Sequence, residues 1–137
     1  MRLFSFYQLK AAKWLNAENC AETEARSQLD KEFNLILRRI INESFKDLSE
    51  NFGSVIYYVL EQKYNIKEEE IPEHIAEFSR CLQMIFSKEA KMYIEKLITI
   101  KLYTKIRIKQ EHHQMEEKDF AERVEYAKHK YAQKKKI

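Results

Sequence analysis

The sequence predicts an all-α protein, a compact bundle of five or six helices with an amphipathic C-terminal helix. Three observations lead there. The 137 residues include Gly 1 and Pro 1, where average usage gives roughly ten and about seven. β-Sandwiches, barrels, dinucleotide-binding folds and phosphate-cradling loops all need that punctuation. Hydrophobic residues make up 45% of the chain and charged residues 34%, which supplies a core and excludes a compositionally disordered chain. Apolar side chains recur at spacings of three and four along most of the length, the period of a helix with one buried face.

The first element is predicted from Phe4, Tyr7, Ala11, Trp14 and Leu15, which share one helical face. Lys10 and Lys13 interrupt any hydrophobic run and no small-residue cleavage site follows, so this stretch reads as a core helix and the product as uncleaved and cytoplasmic. Asn19-Cys20-Ala21-Glu22 has the form of an N-cap with a Glu three positions on, which predicts a second helix from there to about Ile41. Its stripe is Ala25, Leu29, Phe33, Ile36, Leu37 and Ile40. Phe45, Leu48, Phe52, Val55, Ile56, Val59 and Leu60 extend the same period. Gly53 falls inside that series, where a glycine either ends a helix or admits a close neighbour.

A connection is expected from Asn65 to Ile71, with Pro72 in the first turn of the next helix, where its missing N–H costs nothing. Ile75, Phe78, Leu82, Ile85 and Phe86 form that helix's stripe. Ser87 reads as the N-cap of another, with Ala90, Ile94, Leu97, Ile98 and Leu102 on its buried side. The core is expected to end near Tyr103 to Ile108. This divides the chain into a helical core, 1–108, and a segment 109–137 made of a polar connection and a basic amphipathic helix, Asp119 to Gln133. Phe120, Val124, Ala127 and Tyr131 recur there at four, three and four, the seam of a helix that lies against something. That surface is the chain's own core, a second copy or another protein.

From Phe45 to Tyr103 the chain resembles an archaeal family of small helical modules, the nitrososphaera output domain family. The resemblance rests on Phe45, Leu48, Phe52-Gly53, Val55, Ile56, Leu60 and Tyr64, on Ile71-Pro72, and on Phe78, Leu82, Ile85, Phe86, Ala90, Ile94 and Leu102-Tyr103. Ser87 stands where a glycine would be expected. The resemblance implies a helical regulatory or interaction module without known catalysis.

The chemistry-bearing residues are sparse. His112 and His113 adjoin Glu111, with His129 further on, but adjacent helical residues point about 100° apart and cannot share one ion as an i, i+4 pair does. Glu68-Glu69-Glu70 reads as a solvated turn or helix start. Cys20 and Cys81 lie too far apart for a redox or metal knuckle. No catalytic residue, metal, cofactor, small-molecule substrate or membrane span is expected.

Charge is unevenly spread around a net +3: residues 1–85 carry 11 basic and 14 acidic side chains, residues 86–137 carry 14 and 8. Lys128, Lys130, Lys134, Lys135 and Lys136 form a basic end with Tyr126 and Tyr131 interleaved, a pattern able to contact phosphates without reading bases. The helices meeting at Ser87 also suggest a helix-turn-helix, but its Lys88, Lys91, Lys96 and Lys101 do not share a face. The expected function is therefore a non-enzymatic regulatory or protein-interaction module. It self-associates or binds another protein through Phe120, Val124, Ala127 and Tyr131, and deleting residues 115–137 would leave a folded core of altered mass. The alternative is a sequence-tolerant nucleic-acid binder using the basic end.

Overall fold

A long first helix, α1 (Arg2–Leu48), carries the rest of the fold. A computed structural model describes residues 2–109 and 118–135, with the side chains of 24–109 and 118–135. After α1 come α2 (Phe52–Tyr64), a 3₁₀ turn (Glu68–Glu73), α3 (Ile75–Ile85), α4 (Lys88–Ile106) and α5 (Phe120–Lys135). No strand occurs among the described residues. The expected all-α bundle is observed.

α1 departs from expectation by its continuity. No helix starts at Asn19; the backbone stays helical through it. The reason is local. Between Leu15 and Leu29 there is no glycine or proline to stop the preceding helix, and Ala17, Ala21 and Ala25 favour its propagation. A capping residue ends nothing unless the chain before it leaves helical geometry. The result is one helix of 47 residues, about 70 Å at 1.5 Å per residue. The expected inward face of Phe4, Tyr7, Ala11, Trp14 and Leu15, and Cys20, lie outside the described side chains.

The helix ends at Leu48, and after three intervening residues α2 begins at Phe52, whose N–H donates to the Ser49 carbonyl (3.3 Å). Gly53, in the first turn of α2, lets the aromatic side chains of this corner come close. A Cβ there would stand 3.3 Å from a Tyr57 ring carbon and 3.4 Å from one of Phe45. Phe45 is the hub of the corner: its ring lies 5.4 Å from Phe52, 5.8 Å from Tyr57 and 6.0 Å from Phe78, centroid to centroid. Phe52 stacks in turn on Phe86 at 5.0 Å. α2 stops at Asn65, which adopts the left-handed conformation (φ 54°) and donates to the Glu61 carbonyl while Ile66 donates to that of Leu60. Asparagine is the commonest substitute for glycine in this cap.

Pro72 lies in the 3₁₀ turn and not in the first turn of α3. A fixed φ near −65° suits either geometry, and His74 (φ −130°, ψ 46°) separates the two elements. Ile71 and Ile75 are buried on either side of that break. Ser87 caps α4 as expected, its Oγ accepting from the Ala90 N–H (3.2 Å). Arg107, left-handed at φ 59°, ends α4.

The core is formed by Phe33, Leu37 and Ile41 of α1, Leu60 of α2, Phe78 of α3 and Ile98 of α4, all with almost no exposure. α5 completes it by packing on α1, α3 and α4. Among the described residues no helix is long and apolar enough to cross a membrane.

Candidate interaction surface

α5 starts after Asp119, whose carboxylate accepts from the Glu122 N–H at 2.8 Å. Phe120, Val124, Ala127 and Tyr131, on one apolar face of the helix, all turn inward, with Ala127 fully buried. Phe120 meets Phe78 at 6.2 Å and Tyr131 meets Phe33 at 5.9 Å. The Tyr131 hydroxyl donates to Glu32 (2.9 Å) and the Tyr103 hydroxyl to the Arg123 carbonyl (3.0 Å). Burial pushes both phenols up, that of Tyr103 to about 12. Of the three surfaces the sequence left open for this seam, the one it occupies here is the chain's own core.

The basic end is partly engaged as well. Lys134 Nζ donates to the carbonyls of Ile106 (3.2 Å) and Arg107, covering the negative end of the α4 dipole. Lys118 and Lys130 lie 4.3 and 5.6 Å from the centre of the Tyr126 ring, and Lys135 lies 5.7 Å from that of Tyr131, within cation–π range. Lys128 is half-buried, and Lys136 lies outside the described residues. In the helix-turn-helix arrangement, Lys91 donates to Gln83 (3.4 Å) and Lys101 pairs with Asp47.

His112 and His113 fall outside the described residues. His129 contacts Gln133 (3.1 Å), and His74 pairs with Glu77 (3.8 Å). Among the described residues no three His, Cys, Asp or Glu side chains stand together as ligands. Cys81 is a free thiol, fully buried, and burial pushes its pKa up. Glu68, read as part of a solvated run, instead accepts from Asn42 Nδ2 (3.2 Å) with Arg38 beyond (3.9 Å). Asn42 also accepts from the Tyr57 hydroxyl. This polar chain ties α1 to α2 and the 3₁₀ turn. At the α3–α4 contact, Ser79 donates to the Glu95 carboxylate (2.5 Å), and burial raises the Glu95 pKa.

What sequence reading overlooked is the outer face of α4. Leu97, expected inside, is only half-buried, and Tyr93 and Ile100 are 60% and 37% exposed. Tyr93, Leu97, Ile100 and Thr104 follow at four, three and four, so the helix is apolar on two sides, with Ile94, Ile98 and Leu102 on the other. Val55 and Tyr58 on α2 and Leu35 on α1 are also exposed. The signal was available in the spacing, but one stripe sufficed to explain the helix. No protein-family model, curated protein or solved structure matches this chain.

Proposed function

We propose that this chain is a non-enzymatic, cytoplasmic helical module that works by binding protein. The observation that carries this reading is the second apolar stripe of α4, Tyr93, Leu97 and Ile100, left at the surface beside a core that is already filled. Exposed apolar groups that repeat along one helix mark an interaction face, unlike ones scattered singly. Self-association through Phe120, Val124, Ala127 and Tyr131 is compatible with their burial by exchange of α5 between two copies, a low-cost route to a dimer.

The test is a photo-crosslinking residue placed at Tyr58 or Tyr93 of the full chain in the producing cell, together with solution mass across protein concentration. Discrete adducts are expected. No adduct from either position, with a constant monomer mass, would overturn the reading. The nucleic-acid alternative, through Lys128, Lys130, Lys134, Lys135 and Lys136, with Lys134 engaged by the α4 carbonyls, predicts duplex binding whose log affinity falls steeply with log salt. Absence of binding at low salt removes it.

A further inference from the structure

We propose that the groove between α1 and α4 docks an amphipathic helix of another protein, one that carries acidic residues beside its apolar stripe. This rests on the interaction-module reading and specifies its partner. The groove measures about 430 Å³. Ile40 and Ile36 from α1 lie at its bottom, the exposed Ile100 of α4 lines one side, and Arg39, Lys101 and Lys105 line it against the single lining carboxylate Glu43. Lys101 is shared with Asp47. Among the described residues neither Arg39 nor Lys105 has a hydrogen-bond or ion-pair partner.

Shape and charge select the occupant. A furrow between two packed helices receives the side-chain ridge of a third, and the α4 stripe from Tyr93 to Thr104 extends it over three turns, about 16 Å. Apolar anchors one turn apart would meet Ile36 and Ile100 in the groove and then Leu97 one turn further along α4, the usual spacing of helix-in-groove binding. Unpaired cations on the rim favour carboxylates beside those anchors and disfavour a basic helix.

The same chemistry argues against a second copy. This chain's apolar stretch Phe4 to Leu15 is flanked by Arg2, Lys10 and Lys13 without an acid, and would bring like charge to the rim. Its acidic outer surface on α5, Glu122 and Glu125, lies beside Ala121, Tyr126 and His129, with no large aliphatic anchor. A bilayer meets a flat or convex apolar face, and Ile36 and Ile40 lie at the bottom of a furrow.

The experiment titrates the full chain into two labelled helical peptides of sixteen residues. Both carry leucines at i, i+4, i+7 and i+11, one flanked by glutamates and the other by lysines. We expect the acidic peptide to bind at least about tenfold tighter, a difference of about 1.4 kcal/mol. Ile100→Asp should weaken it by at least about tenfold, and Arg39→Glu with Lys105→Glu should reverse the preference. Each changes an exposed side chain, and an unchanged urea midpoint confirms the fold. No saturable binding, equal binding of both peptides, or binding unaltered in the variants would overturn the proposal. So would a concentration-dependent mass increase abolished by Ile100→Asp, which makes the occupant a second copy. Cosedimentation with anionic vesicles in place of peptide binding would overturn it too. Crosslinked adducts at Tyr58 or Tyr93 that persist despite such failures leave the module reading standing and sink only the acidic-helix partner.

Discussion

The Tyr131 hydroxyl, one turn from the end of α5, donates to the Glu32 carboxylate on α1 at 2.9 Å, joining residues 99 apart in the chain. Beneath this bond the Tyr131 ring packs on Phe33. The last helix is thereby fastened to the first, and the core between them depends on both.

Removing residues 115–137 would strip Tyr131 from Phe33 and Phe120 from Phe78, so the folded remainder that reading 1–108 as a core implies is not the outcome we expect. We expect the truncated chain to lose cooperative unfolding. The subtler variant Phe120→Ala should remain folded and lose about 3–5 kcal/mol, measured by urea denaturation. A truncation with the full chain's midpoint would contradict this.

Gly53 is expected to resist enlargement. A Cβ added there would meet the Tyr57 and Phe45 rings at 3.3 to 3.4 Å, and the two further methyls of Gly53→Val would press into the aromatic corner. Overpacking of this kind costs about 1–3 kcal/mol. The check is the urea midpoint, with Ser54→Val, at an exposed neighbour, as the control that should change little.

Glu95 sets a pH dependence of unusual sign. Burial raises its pKa from the ordinary 4.5, with Ser79, Lys91 and Arg123 opposing the shift and Asp119 adding to it. Between 4.5 and the raised value the folded chain holds a proton that the unfolded chain has released. The Glu95 contribution to stability therefore falls as pH rises through that window. Glu95→Gln, which retains an acceptor for Ser79, should gain stability relative to the parent as pH rises from 4.5 to neutral. Unfolding free energies of the two chains across this range decide it; a constant difference would be the contrary result.

Lys134 should matter to the fold more than an exposed lysine normally does. Its ammonium covers the carbonyls of Ile106 and Arg107 at the end of α4, so Lys134→Met is expected to cost about 1 kcal/mol. Lys128→Met, with no such partner, should cost less. Equal midpoints for the two variants would remove the capping role.

Much of the bundle is legible from spacing, because burying one face of a helix demands apolar residues every three or four positions, and the helices from Leu29 to Ile106 and from Phe120 to Tyr131 obey this. The Ser87 cap and the inward seam of α5 are local features, and both are where the residues alone put them. The Asn19 cap fails because a capping signal competes with the propensity of the alanines around it, and here propensity wins. Pro72 could be assigned to a turn boundary but not to one of two geometries that share its φ. The outer stripe of α4 went unread because a helix apolar on both sides shows no single strong period.

The sequence by itself thus determined the all-α class, the main buried faces and the scarcity of chemistry-bearing clusters, since near absence of glycine and proline and a helical period are properties of neighbouring residues. Tertiary structure decided what covers the α5 seam, which lysines remain available, and that Ile36, Ile100, Arg39 and Lys105 line one groove. Those are relations between residues tens of positions apart, fixed by how filled helical faces pack in space, and no local pattern encodes them.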